Sequence, residues 1–134
     1  VSLHVRRADY VTRKKTNQVH GVCSLEYYQA AITKIAEVGK IINFFVFSDD
    51  IQWAKDNIKF NHPVMYVDHG SEKNYEDLIL MSYCKHNIIA NSSFSWWGAW
   101  LNTNPSKIVI APKKWFSDQS KDARDLIPDS WIKI

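Results

Sequence analysis

Short apolar runs rich in β-branched and aromatic residues alternate along the chain with stretches of helical periodicity. That alternation is typical of βα units in a parallel sheet. The predicted strands are Val1–Arg6, Asn43–Phe47, Val64–Val67, Asn87–Ala90 and Lys107–Ala111. The predicted helices run from Leu25 to Gly39, from Ile51 to Ile58, from just after Asn74, and from Ser92 to about Leu101. The pattern predicts a doubly wound α/β domain, a Rossmann-like parallel sheet flanked by helices.

Capping and turn residues set the boundaries of the predicted elements. Ser24 is expected to be the N-cap of the first helix, and Gly39 is expected to end it. The buried face of that helix is predicted to hold Leu25, Tyr28, Ile32 and Ile35. Residues 12–20 are expected to form a polar loop, and residues 113–134 are expected to be irregular.

Composition gives a size and excludes some classes of protein. The 134 residues fit one domain, since domains typically hold about 100 to 200 residues, and 46% of them are hydrophobic. The formal charge of +3 and the charged fraction of 23% indicate neither a nucleic-acid binder nor a disordered tail. No apolar run approaches the roughly 20 residues of a membrane-spanning helix, and no signal peptide is recognised. Because the chain opens on Val1 within a predicted strand, it is expected to be part of a longer protein.

The two cysteines, Cys23 and Cys84, are predicted to be free thiols. Two cysteines are too few for a disulfide framework, and their spacing is not that of a zinc or redox motif. Cysteines of this kind are usually buried, so we expect both in the core.

Polar side chains follow three of the predicted strands. They are His4, Arg6, Arg7 and Asp9 after the first strand, Ser48, Asp49 and Asp50 after the second, and Asn91, Ser92, Ser93 and Ser95 after the fourth. Sheets of this type bind ligands at the carboxyl ends of their strands, so we expect the three groups to converge on one crevice.

The paired arginines suggest a phosphate site. Arginine presents a planar, permanently charged fork that suits phosphate oxygens. Strand alternation places His4 and Arg6 on one side and Arg7 on the other. One arginine is expected to face a ligand phosphate while the other pairs with Asp9 or Asp50. A surface cluster of salt bridges is the alternative.

Residues 91–95 open a predicted helix, where hydroxyls and free backbone N–H groups can bind an anion. Simple helix capping is the favoured alternative for this segment taken alone. The sequon formed by residues 91–93 is not expected to carry a glycan. The neighbouring Trp96, Trp97 and Trp100 are expected to lie in the core.

Asp49 and Asp50 are adjacent and would point to opposite faces of a strand, so a shared metal ion is disfavoured. A carboxylate can accept two parallel N–H bonds, which guanine offers at N1 and its exocyclic amine and adenine does not. Asp49 is therefore the candidate guanine reader, whereas Asp50 better suits the N-cap of the helix that begins at Ile51.

Three blocks of residues carry a resemblance to a known family. They are His4-Val5-Arg6-Arg7-Ala8-Asp9-Tyr10, then Phe47-Ser48-Asp49-Asp50, then Glu76-Asp77-Leu78 followed by Ala90-Asn91-Ser92-Ser93-Phe94-Ser95-Trp96-Trp97-Gly98-Ala99-Trp100-Leu101. With them the chain closely resembles the α-1,2-fucosyltransferases of glycosyltransferase family 11. The third block is very specific, the first is shared in looser form with α-1,6- and protein O-fucosyltransferases, and the second is weak without the others.

The resemblance implies the C-terminal half of a two-domain B-type (GT-B) glycosyltransferase. Residues 1–134 would form its GDP-fucose-binding Rossmann-like domain, and an N-terminal acceptor domain would lie outside this chain. The resemblance places Arg6 on the β-phosphate and His4 and Asp49 against the guanosine. The donor site would also include Asn91 and the helix start at Ser92 and Ser93, near the diphosphate. Arg7 and Asp9 are expected to support these groups.

The activity that the resemblance implies is inverting transfer of fucose from GDP-fucose to the 2-hydroxyl of a galactose-containing glycan, without a metal or other cofactor. Arg6 would stabilise the departing diphosphate. Asp9 is the candidate general base, unless the base lies outside the chain or is dispensable. The isolated chain is expected to be inactive, and a non-catalytic GDP-sugar-binding module is the alternative.

The expected partners are therefore GDP-fucose and a galactose-containing acceptor. Nucleic acid is not an expected partner, because the basic residues form no long stripe. A bacterial protein of this kind would act in the cytoplasm or in association with the inner membrane, and a eukaryotic one would act in the Golgi lumen. The bacterial case is favoured, and peripheral association with the membrane is left open.

Overall fold

The computed structural model describes residues 1–7, 18–39, 42–68, 74–118 and 120–134. The strands in these ranges are β1 (Ser2–Val5), β2 (Phe44–Ser48), β3 (Val64–Val67), β4 (Asn87–Ile88), β5 (Val109–Ala111) and β6 (Ile132–Lys133). The helices are α1 (Leu25–Ala36), α2 (Ile51–Asn57), α3 (Asn74–Tyr83) and α4 (Ser93–Trp100).

The six strands form one sheet in the order β3-β2-β1-β4-β5-β6, and every neighbouring pair is parallel. The chain starts in the middle of the sheet, builds outward to β3, and then crosses to the other side of β1 to form β4. The predicted Rossmann-like α/β fold is thereby confirmed. The switch point of this topology lies between β1 and β4, where such sheets bind their ligands.

Two hydrophobic cores take up alternate side chains of the sheet. One core contains Leu3, Val46 and Ile110 with the buried faces of α1 and α2. The other contains Val109 and Ala111 with α4 and the C-terminal segment. Successive side chains of a strand point to opposite faces, so each face of the sheet has its own core.

Local capping fixes two helix starts that the sequence predicts. The Ser24 hydroxyl accepts a hydrogen bond from the backbone N–H of Tyr27 at 3.2 Å, at the start of α1. Asp50 Oδ1 accepts from the backbone N–H of Trp53 at 3.1 Å, at the start of α2. These caps satisfy N–H groups that the first turn of a helix leaves without a partner. The second cap sets the direction in which the chain leaves β2.

Three predictions about the elements are wrong. Helix α1 ends at Ala36, three residues before Gly39, because Glu37 already makes the cap hydrogen bond to Lys34. Residues 18–20 are helical rather than loop, while residues 12–17 lie outside the described part of the chain. The C-terminal segment is not wholly irregular, since β6 adds a sixth strand beside β5.

The tryptophans of α4 are only partly in the core. Trp96 donates its indole N–H to the carbonyl of Leu126 at 2.8 Å, and its ring stacks on that of Trp100. Trp97 and Trp100 are each about half exposed, at 50% and 51%. The expectation that all three are core residues is therefore wrong for two of them. In the described part of the chain, no helix has the length and apolar character to cross a bilayer.

Candidate functional site

The predicted site residues lie where three strand ends meet. The register of β1 on β2 pairs Val5 with Ser48, so the residue after each, Arg6 and Asp49, come side by side. On the other side β1 pairs with β4, which leads directly into the start of α4. The sheet thus brings the ends of β1, β2 and β4 together at its switch point.

Asp49 binds both arginines at the end of β1. Its Oδ1 accepts a hydrogen bond from the backbone N–H of Arg7 at 2.8 Å. Its Oδ2 lies 3.2 Å from Nη1 of Arg6. The side chains of the ion pair are 34% exposed for Arg6 and 21% exposed for Asp49, so both remain accessible to a ligand.

Arg7 is held on the other face by Asp50 and Trp53. Its Nε lies 3.6 Å from Asp50 Oδ2. Its guanidinium carbon lies 3.9 Å from the centre of the Trp53 ring, in the geometry of a cation–π contact. The sequence predicts that one arginine pairs with an aspartate, and Arg7 does so. It does not predict that Arg6 is paired as well.

His4 is in β1, two residues before Arg6, so strand alternation places the two side chains on the same side. It is 5% exposed, and its ring packs against Phe94 with the ring centres 5.5 Å apart. Burial, together with the smaller effect of the Arg6 charge, lowers the pKa of His4 to about 3. The imidazole is therefore neutral at physiological pH. Its Nδ1 is buried and has no hydrogen-bond partner among the described residues.

The start of α4 lies at the carboxyl end of β4. Ser92 occupies the N-cap position with extended backbone, but its side chain makes no capping hydrogen bond. Ser92 is buried and Ser93 is exposed. The sequence favours simple capping for this segment, and the structure differs from that. A helix start without a capping side chain has backbone N–H groups that can bind an anion.

Asn91 joins three parts of the chain behind the site. Its amide nitrogen donates to the carbonyls of His20, Gly21 and Trp115, at 2.9, 3.2 and 3.1 Å. Its Oδ1 accepts from the thiol of Cys23 at 3.4 Å. With 2% exposure, the Asn91 side chain holds loops in place and presents no open surface to a ligand. Its predicted membership in the donor site stays a prediction.

The thiols differ from each other in burial. Cys23 and Cys84 are both free, as predicted, but only Cys23 is fully buried. Burial raises the pKa of the Cys23 thiol to about 11, so it is neither a thiolate nor a nucleophile at neutral pH.

A groove of about 770 Å³ lies elsewhere, over β2 and β3. Its walls are largely apolar and include Phe45, Met65, Leu80 and Tyr83. None of the described site residues lines it.

The last two predictions concern the general base and a metal ion. Asp9, the candidate base, lies outside the described residues. Within the described ranges, no group of three or more His, Cys, Asp or Glu side chains is placed to hold a metal ion.

Sequence reasoning missed Trp53 and Phe94. Trp53 follows Asp50 by three residues on α2, one helical turn from the N-cap, so that spacing could have suggested a contact with whatever Asp50 binds. Phe94 lies within the segment predicted to bind an anion, but nothing in the sequence indicates that its ring packs against His4.

A parallel sheet of this order, with paired arginines and an uncapped helix start at its switch point, defines an α/β domain suited to a phosphate-bearing ligand. In a comparison with known protein families, residues 1–134 match the sequence profile of glycosyl transferase family 11. The chain belongs to that family.

Individual relatives show the range of the similarity. The chain is 49% identical to the O-antigen biosynthesis glycosyltransferase WbnK of Escherichia coli, over 99% of this chain and 44% of the relative. It is 40% identical to an α-1,2-colitosyltransferase of Escherichia coli, over 100% of this chain and 47% of the relative. It is 30% identical to the galactoside 2-α-L-fucosyltransferase SEC1 of Bos taurus, over 75% of this chain and 28% of the relative. The chain thus spans less than half the length of these relatives, and no solved structure matches it significantly.

Proposed function

We propose that this chain is the donor-nucleotide domain of an inverting, metal-independent α-1,2-fucosyltransferase of GT-B architecture. It would bind GDP-fucose at the carboxyl ends of β1, β2 and β4. The observation that carries the proposal is the position of Arg6, which directly follows β1 at the switch point of the sheet and pairs with Asp49. The acceptor domain and the acceptor glycan lie outside what this chain contains.

Charge explains why a cation is needed at this position. Cleavage of the bond between fucose C1 and the phosphate oxygen leaves an oxocarbenium-like sugar and a diphosphate with growing negative charge. Fixed donors aimed at the β-phosphate stabilise that charge more in the transition state than in the ground state, and so accelerate transfer. Arg6 and the first N–H groups of α4 would supply those donors, in the role that a divalent metal has in other transferases.

The base of the nucleotide would lie against His4 and Asp49. The carboxylate of Asp49 can accept the N1–H and the exocyclic amine of guanine. The imidazole of His4 is neutral at physiological pH, so it would lie beside the nucleoside without adding charge. Arg7, held by Asp50 and Trp53, would keep the strand end in shape.

The proposal for the acceptor names only its class and a candidate base. We propose a galactose-containing glycan as acceptor, with Asp9 as the candidate base on its 2-hydroxyl. For the cellular site we propose the cytoplasm, at or near the inner membrane, because the two relatives of 40% identity or more named above are bacterial.

A second candidate donor is GDP-linked colitose. A relative 40% identical to this chain is named an α-1,2-colitosyltransferase, whereas the galactoside fucosyltransferase is 30% identical. Colitose is fucose without its 3-hydroxyl, so both donors would use the same guanine and diphosphate contacts. A comparison of GDP-fucose and GDP-colitose as donors separates the two.

Titration calorimetry of this chain with GDP and ADP tests the nucleotide site. We expect GDP to bind at least about tenfold more tightly than ADP, since only guanine offers two N–H groups to Asp49. We expect Arg6→Ala to weaken GDP binding by about tenfold or more, as for the loss of a charge-assisted hydrogen bond.

Arg124→Ala is the matched control, because the Arg124 side chain is 88% exposed and pairs with Asp122, away from the strand ends. It should bind GDP as the unmodified chain does. Equal affinities for GDP and ADP, or equal losses in the two arginine variants, would contradict the proposed site.

Transfer assays on an intact protein that contains this chain separate an enzyme from a non-catalytic binding module. We expect an α-linked product from β-linked GDP-fucose, in buffer that contains a metal chelator. Binding of GDP-fucose without transfer to any galactoside would favour the binding module, and a rate that collapses in chelator would contradict metal independence.

A further inference from the structure

Asp49 is already occupied by the two groups that flank it. Its Oδ1 accepts from the backbone N–H of Arg7 at 2.8 Å, and its Oδ2 faces Nη1 of Arg6 at 3.2 Å. The arginine proposed for the phosphate and the carboxylate proposed for guanine thus bind each other. Arg6 therefore competes with guanine for Asp49, and Asp49 competes with the phosphate for Arg6.

We propose that the Arg6–Asp49 ion pair is an exchange point that makes phosphate binding depend on the base. Guanine takes the place of Arg6 on Asp49, and the released guanidinium turns to the diphosphate. This inference rests on the proposed function and adds a specificity mechanism to it. Base recognition then controls how much positive charge the phosphate site presents.

The geometry of the carboxylate requires this competition at Oδ2. Guanine donates two parallel N–H bonds, so it needs one acceptor position on each oxygen of Asp49. A carboxylate oxygen can accept two hydrogen bonds, so the bond from the Arg7 backbone does not by itself exclude a second donor from Oδ1. At Oδ2 the incoming base meets the Arg6 guanidinium, which is the group that can move away because it lies at the end of a long side chain.

The neighbouring pair shows why Arg6 moves and Arg7 stays. The Arg7 side chain is 18% exposed, and its guanidinium carbon lies 3.9 Å from the centre of the Trp53 ring. Its Nε approaches Asp50 Oδ2 at 3.6 Å but makes no hydrogen bond. The Arg6 side chain is 34% exposed. An ion pair at that exposure is weak and opens readily in water. One half of the arrangement is therefore a fixed support and the other half is an exchangeable contact.

The exchange predicts cooperation between the base and the diphosphate. A free pyrophosphate must separate Arg6 from Asp49 by itself, whereas a diphosphate that arrives with guanine finds Arg6 already released. Adenine lacks the donor pair, so it leaves the ion pair intact. An adenine nucleotide should therefore bind more weakly than a guanine nucleotide for two reasons: its base lacks the donor pair for Asp49, and its diphosphate must still separate Arg6 from Asp49.

The variant Asp49→Asn tests the exchange, with inorganic pyrophosphate as the probe in titration calorimetry. Asparagine keeps the Oδ1 acceptor for the Arg7 N–H and replaces the charged oxygen that holds Arg6 by a donor amide. We expect this variant to bind pyrophosphate about twofold to fivefold more tightly than the unmodified chain, the range for releasing a partly exposed ion pair. It should bind GDP at least about tenfold more weakly.

Asp50→Asn is the matched control. It changes the net charge by the same amount at the adjacent position and keeps the acceptor that caps α2, but it does not contact Arg6. Its affinity for pyrophosphate should stay within about a factor of two of the unmodified chain. Equal tightening in both variants would show a general charge effect and would overturn the exchange.

A second measurement needs no variant. Saturating guanosine, which has no phosphate, should tighten pyrophosphate binding by the unmodified chain about twofold to fivefold, and adenosine should not. No effect of guanosine, in a chain that still prefers GDP to ADP, overturns the exchange and leaves the proposed function standing. A chain that does not prefer GDP to ADP contradicts the proposed function itself, and the exchange with it.

Discussion

The guanidinium of Arg7 lies over the ring of Trp53, with 3.9 Å between its central carbon and the centre of the ring. The same arginine faces Asp50, whose other oxygen caps the helix that carries Trp53. The end of β1 and the start of α2 are therefore connected through Arg7, the side chain of Asp50, and both the ring and the backbone N–H of Trp53.

Shortening the aromatic member of this set should loosen the strand end. We expect Trp53→Leu to lower the free energy of unfolding by about 2 kcal/mol, through lost packing and a lost cation–π contact. Trp53→Phe keeps an aromatic face and should lose less than half as much. Urea unfolding of the two variants checks this, and equal losses would show that Arg7 gains nothing from the ring.

Asn91 should be among the costliest polar residues to replace. Its amide donates to three carbonyls, of residues 20, 21 and 115, and Asn91→Leu removes these hydrogen bonds together with the acceptor of the Cys23 thiol. We expect a loss of about 3 kcal/mol or more in the free energy of unfolding. Asn61→Leu, at an exposed position, is the control and should stay within about 0.5 kcal/mol. Similar losses in the two variants would contradict the role of Asn91 in joining these segments.

Gly21 should not tolerate a side chain. It has a φ of 65°, and an added Cβ would collide with the Ser117 hydroxyl and lie 3.2 Å from Ser117 Cβ. We expect Gly21→Ala to cost about 1 to 3 kcal/mol in the free energy of unfolding, with part of the loss recovered by Ser117→Gly. Gly39→Ala is the control, since nothing lies within 4 Å of its added Cβ. An equally harmless alanine at both positions would show that the contact between residues 21 and 117 is not tight.

Acid should destabilise the domain through His4. Its pKa in the folded chain is about 3 instead of the ordinary 6.5, so below pH 6.5 the unfolded chain takes up a proton that the folded chain does not. Stability is therefore fully present above that pH and is lost as the pH falls from 6.5 toward 3. Between pH 7 and pH 5, protonation linked to His4 should lower the free energy of unfolding by about 2 kcal/mol, at roughly 1.4 kcal/mol per pH unit below pH 6.5.

The His4→Phe variant isolates that contribution, since phenylalanine can keep the ring contact with Phe94. Urea unfolding at the two pH values should show a smaller loss in the variant by about 2 kcal/mol. An equal loss in the variant and the unmodified chain would mean that His4 titrates normally in the fold.

The sequence predicted the sheet well because its strands are short apolar runs between clear turn residues. The strand β3 has the predicted bounds, and the caps at Ser24 and Asp50 follow from local chemistry. The two residues of β6 carry no periodic signal, and their pairing with β5 depends on a tertiary contact. In α4 the apolar residues surround the helix, so the sequence could not indicate that Trp97 and Trp100 would be half exposed.

The sequence predicted where the candidate site lies, but it did not predict most of the contacts within it. Strand ends in a parallel sheet converge by topology, and this suffices to bring Arg6, Asp49 and Ser92 together. The pairing of Arg6 with Asp49 depends on the register of Val5 on Ser48, which the sequence does not specify. The fixed role of Arg7 depends equally on the ring of Trp53, one turn into the next helix.

A crystal structure of this chain with GDP bound would show whether Arg6 binds the diphosphate. We expect the guanine on Asp49 and the Arg6 guanidinium turned from Asp49 to the β-phosphate, at about 2.7 to 2.9 Å from a phosphate oxygen. A complex in which Arg6 still pairs with Asp49 and points away from the diphosphate, or in which GDP occupies another surface, would contradict this expectation.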